Sequence, residues 1–238
     1  MTTTNTSGAP LGIEVGNRPA RRPERATVLA GSIVDVCPLD AAAHSDALFH
    51  GIQGPENDTL WTYLGSGPFH HRDDFDRFLI PFADSEDPLP FAIVDKKTRQ
   101  AVGIATYLRI EPKHRVIEVG YLLFTPALQK TAGATEAMYL MARHVFEDLG
   151  YRRYEWKCNS LHSGSRQAAL RLGFQFEGIF RQHQIVKGRN RDTAWFSMLD
   201  SEWPQNKRAM ETWLDPANFD EQGKQKLPLA AIRSQLYS

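Results

Sequence analysis

Residues 115–150 read RVIEVGYLLFTPALQKTAGATEAMYLMARHVFEDLG: an apolar strand, a short Gln-Lys-Thr-Ala-Gly-Ala loop and a long amphipathic helix in immediate succession. A loop that delivers the chain onto a helix N-terminus aims several unpaired backbone N–H groups at one point, and the helix dipole adds about half a positive charge there. The segment is therefore a candidate anion site, and a pyrophosphate fits it. The strand also carries one carboxylate, Glu118, within its apolar run. A candidate proton acceptor thus lies a few residues from a candidate phosphate cradle.

Upstream, Phe91 to Val94 and Ala101 to Ile110 are β-rich runs joined by the polar Asp95-Lys96-Lys97-Thr98-Arg99-Gln100, which predicts a hairpin. Arg115 to Phe124 then makes the third strand of a meander. Downstream, Ala137, Met141, Val145 and Leu149 recur every four residues and Met138 widens the stripe, so a helix is predicted from Ala134 to Leu149 with that face as core. Arg152 to Cys158 reads as a strand and Gly164 to Leu172 as a helix stopped by Gly173. Phe174 to Val186 and Arg191 to Leu199 flank a Lys187-Gly188-Arg189-Asn190 turn.

Ser32 to Val36 is the first strand-like stretch, and Leu39 to Trp61 reads as one or two helices broken near Gly51 and Gly54-Pro55. Arg72 to Phe82 is a helix with Asp73 and Asp74 as its caps, and a last helix from Gln205 to Leu214 precedes a polar tail. The sum is an α+β fold with a mixed, mostly antiparallel sheet flanked by helices. Residues 1–30, rich in Thr, Gly, Pro and Arg, are expected to be a flexible tail; 31–200 form the domain, and 201–238 a helix and tail packed on it or trailing it.

A chain of 238 residues suits one domain with tails. Lys plus Arg equals Asp plus Glu at 28 each, so no global basic field draws nucleic acid or an anionic membrane. Cys37 and Cys158 give neither a disulfide framework nor a metal cluster and are read as core thiols in a reducing compartment. His70-His71 has no third ligand at metal spacing, so no metal is expected. The N-terminus lacks a secretory pattern and no run approaches the roughly 20 apolar residues of a membrane span, so a cytoplasmic protein is expected. Oligomeric state has no signature in the sequence; a homodimer through the last hairpin or the C-terminal helix is compatible with it.

The pieces IEVGYLLF, PALQKTAGATEA, YRRYEWKC, SRQAALRLGF and the hairpin FEGIFRQH to GRNRDTAWFSMLD stand in an order that resembles the GNAT acetyltransferases, in the branch of the RimJ/RimL ribosomal-protein acetyltransferases. The resemblance spans residues 30–200 and is densest over Ile117 to Leu199. It implies the GNAT fold, acetyl-CoA as co-substrate, a primary amine as acceptor and direct attack in a ternary complex. In the phosphate loop Gln129 and Ala134 match the family pattern, while Ala132 stands where Gly is usual and Gly133 lies beside it. His162 stands three residues before Ser165 where relatives have Asn, and the tyrosine that serves many members as general acid would fall at Ala169.

What the resemblance implies for the site is a coenzyme arm pairing along Leu122, Leu123 and Phe124, a pyrophosphate held by Gln129, Lys130, Thr131, Ala132, Gly133, Ala134 and Thr135, and His162 and Ser165 beside the coenzyme. Glu118 is the candidate base, because a carboxylate in an apolar strand is desolvated and its pKa raised; the other reading pairs it structurally with Arg109, Arg115 or a ring N–H. Ser165 either protonates the departing sulfur or serves the first turn of its helix. Trp61, Tyr63 and Tyr121 are candidates for the acceptor wall, or core aromatics. Arg181, Lys187, Arg189 and Arg191 are either a solvated hairpin or a contact for the coenzyme's adenosine phosphate or an acidic substrate. The acceptor is a protein N-terminus if the groove between the early helices and the last hairpin is open, or a small amine if it is enclosed. A catalytically silent acyl-CoA-binding module is the alternative from another class.

Overall fold

The computed structural model describes residues 3–236. Strands β1 (Thr3–Thr4) and β2 (Pro10–Leu11) form a small hairpin. The main sheet has eight strands: β3 (Leu29–Ala30), β4 (Val34–Pro38), β5 (Leu89–Asp95), β6 (Ala101–Glu111), β7 (Val116–Phe124), β8 (Arg153–Asn159), β9 (Gln175–Val186) and β10 (Arg189–Leu199), in the order β3-β4-β5-β6-β7-β8-β10-β9. Every neighbouring pair is antiparallel except β7 and β8. The mixed, mostly antiparallel sheet read from the sequence is the one observed.

Parallel neighbours need a crossover, and α3 (Ala132–Arg143) with the π-helical turn His144–Asp148 supplies it between β7 and β8. Its apolar stripe, together with α5 (Trp203–Leu214) and α6 (Leu229–Leu236), packs one sheet face into a core that includes Ile117, Val119, Met141, Tyr154 and Phe196. The opposite face, from β5 to β7, is covered by α1 (Ala41–Ile52), a 3₁₀ turn at Pro55–Trp61 and α2 (Arg72–Ala83) around Leu48, Trp61, Phe75, Leu79, Ile104 and Leu123. No helix of the described residues is long and apolar enough to cross a membrane.

Several expectations shift. Helix α2 begins at Arg72, as read, but Asp73 and Asp74 are first-turn residues rather than its caps, because His71 occupies the N-cap position; there they complement the dipole. The crossover helix starts at Ala132 because Thr131, not a later residue, caps it by accepting the Ala134 N–H at 3.2 Å. Residues 20–30 are no free tail: Ala20 is buried and donates its N–H to Pro112, Arg21 donates its own to Leu149, and Arg25 binds the carbonyls of Ala83, Asp84 and Ser85 at the end of α2. The polar tail beyond 214 contains α6, whose Leu229 and Ile232 are buried.

Candidate active site

Pairing between β7 and β8 runs from Val116↔Arg153 to Val119↔Trp156 and then stops, although β7 continues to Phe124 and β8 to Asn159. The strands splay from that point. On its other side β7 slips register against β6 between the pairs Thr106↔Gly120 and Ile104↔Leu123, an extra residue that marks a bulge at Tyr121 and Leu122. Tyr121 takes a positive φ of 46° there. The bulge also shifts the side-chain phase: Tyr121 lies against Phe78 and Phe82 of α2, on the same sheet face as Glu118. The backbone at Tyr121 and Leu122 is thus taken out of the regular ladder.

The splay opens into one continuous cleft of about 1550 Å³ that reaches both faces of the sheet. On the α3 side it is bounded by Gln129, Lys130, Thr131, Ala132, Ala134 and Thr135, the loop and first helical turn expected to hold a pyrophosphate. Gly133 is the exception. It is buried, and a Cβ there would lie 2.9 Å from Val34 Cγ1, so its lack of a side chain serves the close approach of α3 to β4. A charged residue at 133 would therefore disturb packing as well as binding. Ala132→Asp is the cleaner probe, because aspartate is favourable in a first helical turn yet repels a diphosphate. If a diphosphate binds this loop, Ala132→Asp should weaken its affinity by about 100-fold or more at an unchanged melting temperature without ligand. Calorimetric titration checks it.

Beyond the cradle, α4 (Ser163–Leu172) follows β8. His162 is its N-cap, with Nδ1 accepting the Ser165 N–H at 3.4 Å. Burial lowers the pKa of this imidazole, which keeps it neutral and able to accept, so histidine does here what an asparagine side chain does elsewhere. Ser165 sits in the first turn, and its Oγ accepts the Trp156 Nε1–H at 3.0 Å. That leaves the hydroxyl proton free for the cleft or for the Cys158 thiol beside it, which burial pushes up toward the protonated form. At the far end Arg171 donates to Thr135 Oγ1 at 3.0 Å and stacks on Trp213 of α5 at 4.6 Å, and Lys224 joins it on the cleft wall.

On the α2 side of the splay stands Glu118, buried, with Oε2 2.5 Å from Lys157 Nζ and 3.6 Å from Arg109 Nε. Desolvation raises its pKa to about 7 against the opposing pull of Lys157 and Arg109. Gly120 keeps the carboxylate open: a Cβ there would sit 3.4 Å from Glu118 Oε1 and 3.0 Å from Leu108 Cδ2. Lys157, itself depressed by burial, lies over the Trp195 ring at 4.4 Å. The sequence pointed to Arg109 as a partner of Glu118 and missed Lys157. The signal was present in Tyr154-Glu155-Trp156-Lys157-Cys158, where charged and apolar residues alternate in a strand flanked by neighbours on both sides.

The aromatic wall expected from Trp61, Tyr63 and Tyr121 is two-thirds present. Tyr63 and Tyr121 line the cleft. Trp61 does not: it is 1 % exposed, packs edge-on to Phe69 and belongs to the core under α1 and α2. Its carbonyl has a role instead, accepting from Lys187 Nζ at 2.8 Å at the tip of the β9–β10 hairpin. Tyr63 stacks on His162 at 4.5 Å and donates its hydroxyl to the Leu161 carbonyl at 3.3 Å. These contacts tie the segment after α1 to the tip of the β9–β10 hairpin and to the loop before α4 at the edge of the cleft. Of the four basic hairpin residues, Arg181, Lys187 and Arg189 are exposed, whereas Arg191 is half-buried on the cleft wall.

Comparison with known proteins identifies the fold and family. Residues 38–175 match the acetyltransferase (GNAT) domain family. The ribosomal-protein-serine acetyltransferase of Escherichia coli (strain K12) is 28% identical over 148 residues, 62% of this chain and 74% of that protein. Among solved structures, a GCN5-related N-acetyltransferase from Brucella melitensis superposes with a TM-score of 0.89 at 45% identity, covering 91% of this chain and 98% of that one. A probable GNAT-family acetyltransferase from Chromobacterium violaceum ATCC 12472 gives 0.74 at 41%, covering 82% and 96%. A splayed β7–β8 pair leading onto a helix N-terminus, a family match over more than half the chain and relatives of this similarity place the protein in the GNAT acetyltransferase family, with a ribosomal-protein-serine acetyltransferase among its relatives.

Proposed function

We propose that the protein transfers an acetyl group from acetyl-CoA to the primary amine of a small acceptor, by direct attack in a ternary complex. The observation that carries this reading is the meeting, in one cleft, of a helix N-terminus suited to a pyrophosphate and a buried carboxylate with a pKa near 7. The cleft exceeds the roughly 300–1,000 Å³ of a single small-ligand pocket, which suits two ligands side by side. Acetyl-CoA supplies an activated thioester; the chain's residues orient and exchange protons. Glu118 takes the proton of the incoming ammonium, directly or through water, so that the nitrogen lone pair can attack. The C–N bond forms as the C–S bond breaks, and the Ser165 hydroxyl, held by the Trp156 indole, faces the departing sulfur as its hydrogen-bond donor. Backbone N–H groups freed by the bulge at Tyr121 and Leu122 are suited to polarising the carbonyl. The contacts of Lys187 with Trp61 and of Tyr63 with Leu161, which narrow this edge of the cleft, favour a small acceptor over a protein N-terminus.

Release of free thiol from acetyl-CoA, followed against a panel of amino acids, polyamines, aminoalkyl phosphates and N-terminal peptides, tests the reading. Turnover with small amines and little with peptides is the expected result. A thermal shift with acetyl-CoA and no turnover with any amine would favour the silent binding module instead. In the same assay acetyl-CoA should raise the melting temperature more than dephospho-CoA, because Arg171 and Lys224 line the end of the cleft beyond the cradle. Equal shifts would remove them from the adenosine phosphate.

A further inference from the structure

The sheet face that carries Glu118 also carries a run of charged side chains on the neighbouring strands. Register sets Glu118 beside Glu155, and Lys157 and Asn159 opposite Trp195 and Thr193; Arg191, two residues beyond Thr193 and past an irregularity in the β9–β10 pairing, stands at the end of this row on the wall of the same cleft. The charges in that row are matched almost completely. Arg153 holds Glu155 at 2.8 Å and Glu177 at 2.5 Å. Lys157 and Arg109 share Glu118, and Arg109 also approaches Glu155 at 3.8 Å. Arg191 is the exception: among the described residues it makes no ion pair, and its Nε is buried without a hydrogen-bond partner.

A half-buried guanidinium with an orphaned donor is costly unless something satisfies it. Arg191 lines the same cleft as Glu118, close enough that the two charges influence each other, and beside it stands His183, whose imidazole is held toward the neutral form by burial and by Lys157, Arg191 and Arg109. The proton that Glu118 takes up comes from the acceptor's own ammonium and leaves the charge of the cleft unchanged, and at this end Lys157, Arg109 and Arg191 outnumber the carboxylates of Glu118 and Glu155. A bare amine such as a polyamine would meet net repulsion here. An amine that brings its own anion would not.

The geometry points to an acceptor that carries an anionic group, a carboxylate or a phosphate, a short distance from its primary amine, with Arg191 as the residue that receives it. This rests on the acetyl-transfer reading above and names the chemistry of its acceptor. Guanidinium binds both anions through paired N–H donors, so the shared feature is the negative charge next to the amine.

The test is a comparison of matched pairs with the intact protein and acetyl-CoA: an amino acid against its carboxamide, and phosphoethanolamine against ethanolamine. One charge-assisted contact predicts a kcat/KM for the anionic member about 10–100-fold above that of its neutral twin. The pair with the larger ratio identifies the anion. Arg191→Gln should collapse that ratio to within about threefold, and Arg191→Lys should retain part of it. A thermal shift with acetyl-CoA, measured on each variant, confirms a folded cleft. Equal use of both members by the unaltered protein would overturn the inference while leaving acetyl transfer standing, and so would a ratio that survives Arg191→Gln in a folded variant. No thiol release with any amine would overturn both.

Discussion

Glu118→Gln should lower kcat by about 10²- to 10⁴-fold, the usual worth of a positioned general base, while acetyl-CoA affinity changes little, because Glu118 stands on the sheet face opposite the helix cradle. Its pH dependence makes the test specific. Desolvation lifts the carboxyl from 4.5 to about 7, and a base works only when deprotonated. In the unaltered protein kcat/KM should therefore rise tenfold per pH unit below about 7 and level above it. Glu118→Gln should remove that inflection. If the slope persists in the variant, another group is the base and Glu118 is an ion-pair partner of Lys157. The stability linkage has the opposite sense. A folded-state pKa above the unfolded one means that Glu118 contributes stability present below about 4.5 and lost as pH rises through about 7. The conditions that activate the base are those in which it is least comfortable.

Glu136→Ala should be the most damaging single change away from the cleft. The Glu136 carboxylate, buried in the first turns of α3, accepts the backbone N–H groups of Ser32, Ile33 and Val34 at 2.8, 2.7 and 2.8 Å, filling the concavity between β3 and β4. Alanine would leave three donors at that junction without their acceptor, each costing about 1–3 kcal/mol. A loss of roughly 3–6 kcal/mol follows, on the order of 10 °C or more in melting temperature for a chain of this size. Glu136→Gln, which keeps one acceptor oxygen, should fall between. A melting temperature within about 2 °C of the unaltered protein would show that the strand pairing alone fixes this corner.

The residues that were legible from sequence share a property: their role follows from position along the chain. The strand, loop and helix of 115–150 announce a candidate cradle because anion binding at a helix N-terminus needs only local order. Glu118 stands out because carboxylates are rare in apolar strands. What the sequence hides depends on neighbours set by the sheet order. Lys157 is 39 residues from Glu118 and meets it only because β7 and β8 run parallel, and Arg191 becomes a cleft residue only because β10 pairs with β8 in one register. Trp61 was misplaced for the converse reason: next to a Gly-rich loop it reads as mobile, yet Gly67 brings the loop back over its ring, where a Cβ would lie 2.4 Å away. The α6 helix was passed over because a polar stretch of residues 220–226 precedes it, although Leu229, Ile232 and Leu236 stand at helical spacing.

The parting of β7 and β8 turns a sheet, normally a wall, into a passage with two mouths. The cradle opens on the side of α3 and the charged row on the side of α2. In the ternary complex proposed above, the two reactants would approach the gap from opposite sides and need never pass one another. Each product of that proposed reaction would then leave by the mouth its precursor used, so neither departure would have to wait for the other. Traffic is thereby decided by the simplest of means, the place along two strands where hydrogen bonding stops.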